Sequence, residues 1–262
     1  MDWDLPAIVL ATRPYGEGDL IASVMTAEHG AHRGLVRRGA RSEAGMWQPG
    51  NFIQARWSGR LADQLGFFRA ELIHATAASV MDDPLGLAML TAICAVADDA
   101  LPEREPLDPV FAGMITLLPR LVLGVPALEE LIAWELILLS GLGFGLDLTA
   151  CAVTGETTGL IYVSPRTGRA VTEAGAGILA DRLLPLPGFL TGFARPTPAQ
   201  YRDGLRLTGH FLTRDVFGAR HKPLPLPRQM LYDRVTALAA NDSPTLGVGS
   251  EPVTDTRSPP AD

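Results

Sequence analysis

The chain has 262 residues, 47% of them hydrophobic and 19% charged, with a formal net charge of −7 and two cysteines; this excludes a low-hydrophobicity disordered polymer and a disulfide-stapled framework. The longest uncharged stretch between residues 80 and 200, Pro84 to Ala97, holds 14 residues, too few to cross about 30 Å of hydrocarbon. The opening Met-Asp-Trp-Asp carries acids where a signal peptide carries bases, so a cytoplasmic location with no membrane partner is expected.

From Ala7 to Leu72 five short strands are expected: Ala7–Thr12, Leu20–Thr26, Gly34–Arg37, Phe52–Trp57 and Gly66–Leu72. Turn signals such as Gly16-Glu-Gly18, His29-Gly30 and Pro49-Gly50 separate them. Five strands at this spacing suit a small closed barrel over residues 1–80. Period-two alternation within Phe52–Trp57 sends Phe52, Gln54 and Arg56 to one face and Ile53, Ala55 and Trp57 to the other. After Met81 the pattern turns helical. Asp82 or Asp83 caps a helix that opens at Pro84 and runs to about Ala100. A second begins at Asp108-Pro109, and Pro119 should bend or end it. A third spans Pro126 to about Leu142, and the acids of these helices are expected mostly at their ends and connectors. Residues 148–189 break into glycines and short apolar runs, a small irregular β unit. A last long helix is expected from Thr197-Pro198 to about His221, stopped by Pro223, Pro225 and Pro227, with Gln229–Ala240 forming a final turn or two. The fold class is therefore α+β, with residues 81–147 and 190–240 as one α-helical domain and the Ser/Pro/Gly/Asp-rich residues 241–262 as a disordered tail.

The charge is unevenly spread. Residues 82–147 hold 2 Arg against 11 acids, whereas residues 30–60 carry Arg33, Arg37, Arg38, Arg41, Arg56 and Arg60 against only Glu43, a local charge of +5. At physiological salt the field of distant charges decays over about 8 Å, so an acidic bundle does not cancel a basic face one domain away. Trp47, Phe52 and Trp57 are interleaved with these arginines. A cationic groove with aromatics is how single-strand binders hold phosphates and stack bases. The alternative is a solvated strand-and-loop face with Trp47 and Trp57 in the core.

Other chemistries lack their residues. A structural zinc needs four ligands, usually in Cys-x2-4-Cys pairs, but Cys151 stands alone with Thr154 three residues on, and Cys94 reads as a small buried hydrophobe. No metal and no cofactor is expected. None of the histidines at positions 29, 32, 74, 210 and 221 accompanies a nucleophile signature. Gly141-Leu-Gly-Phe-Gly145 follows a helix instead of opening one, which rejects a phosphate loop. Glu129, Glu130 and Glu135 lack the Glu-x-x-His partners of a di-metal site. No catalytic residue emerges.

The order of the pieces carries more information than any one of them. An Arg-bearing five-strand unit precedes an apolar bundle whose third helix ends Trp134-Glu-Leu-Ile-Leu-Leu-Ser-Gly-Leu-Gly-Phe144. Leu146-Asp-Leu-Thr-Ala-Cys151-Ala-Val-Thr-Gly155 and Tyr162-Val-Ser-Pro-Arg-Thr-Gly168 follow, and Tyr15-Gly-Glu-Gly-Asp19 and His29-Gly30 stand upstream. Over about residues 5–235 this set resembles the RecO family of DNA repair proteins. The resemblance implies an N-terminal OB-fold barrel, a helical domain and a zinc-ribbon-like insertion, here without the paired cysteines of many members. It also implies a non-enzymatic, nucleoid-associated recombination mediator. Such a protein binds single- and double-stranded DNA, anneals complementary strands, and acts with RecR and the single-stranded-DNA-binding protein to help load RecA. Carried onto this chain, the basic barrel face is Arg33, Arg37, Arg38, Arg41, Arg56 and Arg60. The acidic tail of the single-strand-binding partner is expected between the bundle and the arginines of the last helix, Arg202, Arg206, Arg214 and Arg220. A different reading is an adaptor whose basic barrel grips an acidic protein.

Overall fold

The computed structural model describes residues 2–37, 45–61, 64–125, 127–192 and 196–242. Five strands, β1 (Asp2–Tyr15), β2 (Asp19–Thr26), β3 (Gly30–Val36), β4 (Phe52–Ser58) and β5 (Phe67–His74), close into a barrel in the order β1-β2-β3-β5-β4. Strand β1 is twice the expected length because it pairs along both halves: Asp2–Ile8 with β4 and Ile8–Tyr15 with β2, with a register shift between Val9 and Ala11. Closure between β3 and β5 rests on the single parallel pair Leu35↔Phe67 and the Leu35 N–H donated to the Gly66 carbonyl at 3.0 Å.

Two cores share the barrel wall. Inside, Val9, Val24, Ile53, Trp57 and Phe68 fill the lumen with Trp47. Outside, Ile8, Leu10, Met25 and Ala31 face the helices and join their core. Ala7–Leu10 are consequently buried on both faces, which explains why β1 reads there as an uninterrupted apolar run.

The helices follow as α1 (Thr76–Ser79), α2 (Pro84–Ala100), α3 (Asp108–Val122) and α4 (Leu128–Gly141). Asp83 caps α2 by accepting the Leu85 N–H, and Pro84 occupies the first turn, where its missing N–H costs nothing. Helix α3 continues three residues beyond Pro119, since only the bond that residue would donate is lost so near the end. The next part holds β6 (Leu160–Val163), β7 (Ala170–Thr172), the short α5 (Glu173–Ala176) and β8 (Leu184–Pro185), whose strands form a sheet ordered β7-β6-β8. Helix α6 (Pro198–Phe211) runs on through a π-helical segment, Leu212–Phe217, and a 3-10 turn to Arg220.

One expectation about the helices needs correction. Residues beyond the proline cluster form a full helix, α7 (Leu226–Asn241), packed on α2 and α6, instead of a turn or two. Pro227 lies in its first turn, so the residues read as a terminator of one helix also open the next. The acids of α2–α4 do stand mostly at helix ends, as expected, with Asp98 and Asp99 closing α2, Asp108 opening α3 and Glu129 and Glu130 in the first turn of α4; one does not. Glu135, mid-way along α4, is 1% exposed and pairs with Arg228 of α7, also 1% exposed, through bonds of 2.5 and 2.9 Å. The Thr208 hydroxyl donates to the same carboxylate, and Arg228 donates to the Leu205 carbonyl, so α4, α6 and α7 meet at one satisfied polar knot.

Among the described residues no group of three or more His, Cys, Asp or Glu side chains is placed to hold a metal ion. In the β insertion, the Cys151 sulfur accepts the backbone N–H groups of Thr154 and Thr172. Burial raises its pKa, but hydrogen bonds with the Thr154 and Thr172 side chains, and then with their backbone N–H groups, outweigh it and bring the thiol down to about 6. A structural zinc needs four ligands; here Thr154 stands three residues on where a paired cysteine would, and no second Cys or His joins Cys151 among the described residues, so the site does not fit that metal. No helix is long and apolar enough to cross a membrane among the described residues.

Candidate nucleic-acid interface

Strand register assembles the site. On the outer face of the barrel Asp4, Arg56 and Arg69 stand in line across β1, β4 and β5, and Gln54 stands opposite Glu71. Alternation along β4 buries Ile53, Ala55 and Trp57 and turns Gln54 and Arg56 outward, as the period-two pattern requires. Along β5 it buries Phe68 and exposes Phe67, Arg69 and Glu71. Together with Arg37, just past β3, these side chains line a groove of about 810 Å³.

Within the groove the cations differ in what holds them. The Arg37 guanidinium lies over the Phe67 ring, 4.7 Å from its centroid. Arg56 donates to Asp4 through Nε at 2.9 Å and Nη2 at 2.5 Å, while Gln54 donates to the other Asp4 oxygen at 2.7 Å. The Gln54 bond and then the Arg56 bonds hold the Asp4 carboxyl below its usual range, and Asp4 in turn raises Arg56. Arg69 makes no ion pair with a described residue. The groove thus presents three guanidinium groups and two carboxylates, Asp4 and Glu71.

The six arginines singled out in the sequence do not all arrive there. Arg37 and Arg56 line the groove. Arg33 sits on β3 and pairs at 2.8 Å with Glu103, in the connection between α2 and α3. Arg60 is exposed just past β4. Arg38 and Arg41 lie outside the described residues. For the tryptophans the structure bears out the alternative reading: Trp47 and Trp57 are 3% and 1% exposed, so both belong to the barrel core and neither can stack a base. Trp57 donates its indole N–H to the Leu65 carbonyl at 3.0 Å, fixing the approach to β5. Phe67 takes over as the exposed aromatic of the groove, and Arg69 joins Arg37 as a cation with no ion pair to a described residue. Both were within reach of the sequence, because alternation through Phe67-Phe-Arg-Ala-Glu71 places Phe67 and Arg69 on one face.

The second arginine group is likewise divided. Arg206 and Arg214 line a groove of about 650 Å³ between α6, α7 and the β insertion, with Leu184, Leu205 and Leu224 among its apolar walls. Arg214 pairs with Asp215, lies 4.8 Å from the Phe211 ring centroid, and donates to the Pro165 and Arg166 carbonyls. Arg202 pairs with Asp203 at 2.8 Å, and Arg220 donates to the Asp99 carbonyl at 3.0 Å; neither lines that groove.

A family model described as Recombination protein O N terminal matches residues 1–76, and one described as Recombination protein O C terminal matches residues 81–225. Among curated relatives, the DNA repair protein RecO of Granulibacter bethesdensis is 55% identical over 246 residues, spanning 92% of this chain and 98% of the relative. Its counterpart in Gluconacetobacter diazotrophicus is 50% identical over 246 residues, with 91% and 96% covered. That of Acidiphilium cryptum is 51% identical over 241 residues, with 90% and 96% covered.

Proposed function

The chain belongs to the RecO family of DNA repair proteins, and on that premise we propose that it is a non-enzymatic recombination mediator whose barrel groove holds single-stranded DNA and promotes annealing. One observation carries this reading: Arg37, Arg56, Arg69 and the exposed Phe67 converge on one accessible side of a closed five-stranded barrel. The guanidinium groups neutralise phosphates, whose condensed counterions are released to bulk solvent, and an OB-type barrel is a common carrier for such a strand path. A duplex reaches the same cations through its backbone, so both DNA forms bind. Two strands held on one surface at raised local concentration then find register faster than they do in solution.

In this reading the protein acts with RecR and the single-stranded-DNA-binding protein to help load RecA, in the cytoplasm at the nucleoid. The acidic tail of the single-strand-binding partner docks in the second groove, where Arg206 and Arg214 stand beside apolar walls. The basic face is assigned to Arg37, Arg56, Arg69 and the exposed Arg60, and we include in it Arg38 and Arg41, which lie outside the described residues, while Arg33 is held by Glu103.

The test is binding and annealing by the full chain carrying Arg37→Ala and Arg69→Ala. Loss of both activities with an unchanged circular dichroism spectrum is expected. Retention of wild-type binding by the double variant, with an acidic protein captured through the same residues instead, would replace this reading with that of a protein adaptor.

A further inference from the structure

Phe67 is 42% exposed at the first position of β5, on the outward face where Arg69 and Glu71 follow at successive odd positions. A lone exposed aromatic needs no explanation by itself; this one is built in. Its backbone is held at the barrel seam, opposite Ser58 of β4 and Leu35 of β3. Gly66, immediately before it, has φ +60°, and a Cβ there would meet the Trp57 indole at 2.4 Å. The approach to Phe67 is therefore set by a glycine that fits under a buried tryptophan. Arg37 covers part of the ring and leaves the remainder open in a groove that Arg69 enters two residues along, about 7 Å away on the strand.

We propose that Phe67 is the base-stacking platform of the groove and the residue that sets preference for single strands over duplex. The inference rests on the DNA-binding reading above and deepens it. A single strand can lay an unpaired base on the open part of the ring, with Arg37 and Arg69 placed for the adjoining phosphates. In a duplex each base is already stacked and paired, so its faces are closed to the ring and only the backbone meets the arginines. Stacking on a protein aromatic is sequence-tolerant because every base has a π-face. Phe67 therefore separates single from double strands without reading sequence.

The experiment compares the wild-type chain with Phe67→Leu and Phe67→Trp. The probes are an oligothymidine of about 16 nucleotides, the upper site size of one such barrel, and a duplex of equal length, each titrated over a range of salt. Leucine keeps the apolar bulk but removes the π-face, so single-strand affinity falls about tenfold, within the range of one base–aromatic stack. Duplex affinity stays within about twofold of wild type, and the salt slope is unchanged because no cation is lost. Phe67→Trp restores single-strand binding. A 2-aminopurine placed in the strand is quenched by wild type and by Phe67→Trp but not by Phe67→Leu. Equal loss on both DNA forms, or no loss on either, overturns the platform while leaving the arginine groove standing. A wild-type chain that binds neither probe at low salt overturns the DNA-binding reading and this inference with it.

Discussion

Replacing Asp4 by Asn should strengthen DNA binding, an unusual direction for a substitution in a binding site. Asp4 holds Arg56 at 2.5 and 2.9 Å and accepts Gln54 at 2.7 Å, so its carboxylate stands where a phosphate would have to lie to reach Arg56. With three arginines and two acids lining the groove, the substitution raises the local charge from +1 to +2 and frees Arg56. One additional phosphate contact on a single strand steepens the dependence of log K on log salt by about 0.7. If that contact is neutral at about 1 M salt, affinity rises about eightfold at about 50 mM and about threefold at about 200 mM. The assay is fluorescence anisotropy with labelled single strand at four or more salt concentrations, using Asp4→Asn, Arg56→Ala and the double variant. The double variant should behave as Arg56→Ala alone, because the gain acts through that arginine. Weaker binding by a folded Asp4→Asn, or a gain that survives loss of Arg56, would refute the internal-competitor account.

Three further outcomes follow from the packing. Arg228→Met leaves Glu135 buried without its partner and should cost about 3–5 kcal/mol in denaturant unfolding, whereas adding Glu135→Leu should return much of it; equal loss in single and double variants would contradict the pairing. His32 is 4% exposed among Trp3, Trp57 and Phe68, and neither ring nitrogen has a hydrogen-bond partner among the described residues; burial, then the Arg104 and His29 charges, lower its pKa from 6.5 to about 4. The unfolded chain therefore takes up a proton in that interval that the folded chain refuses, so stability falls as pH drops from 6.5 toward about 4, by up to about 1.4 kcal/mol per pH unit; His32→Phe should flatten this part of the melting-temperature profile, and an unchanged profile would show that His32 is not its source. Gly30→Ala should destabilise the fold by at least about 2 kcal/mol, because φ is +59° and a Cβ would come within 2.1 Å of the Glu105 carbonyl oxygen; a neutral effect in chemical denaturation would contradict that contact.

Local pattern made much of the architecture readable. The five strands, the two faces of Phe52–Trp57 and the cap-and-proline start at Asp83-Pro84 each depend on neighbours within a few residues, and each is present. What stayed hidden was set by pairing across long separations. Glu135 and Arg228 are 93 positions apart, so neither residue shows in sequence that the other will neutralise it, and a helix that buries an Arg in its first turn does not look like a core element. The same holds in the groove, where Asp4 and Arg56 are 52 positions apart. A charge count over residues 30–60 registers Arg56 as free and omits Asp4 and Arg69, which enter the site only through strand register. The tryptophans left two readings open in the sequence: proximity to arginines suggested a binding face, but alternation sends Trp57 inward, and the small barrel needs large side chains to fill it.

The account depends above all on the groove gripping polynucleotide through its cations, and the salt dependence of wild-type binding to a single strand tests this most directly. With Arg56 held by Asp4, Arg37 and Arg69 alone predict a slope of log K against log salt of about −1.4, and Arg38, Arg41 and Arg60 carry it to about −3.5 if all contribute. A slope within that range supports the account; binding that does not change with salt contradicts it.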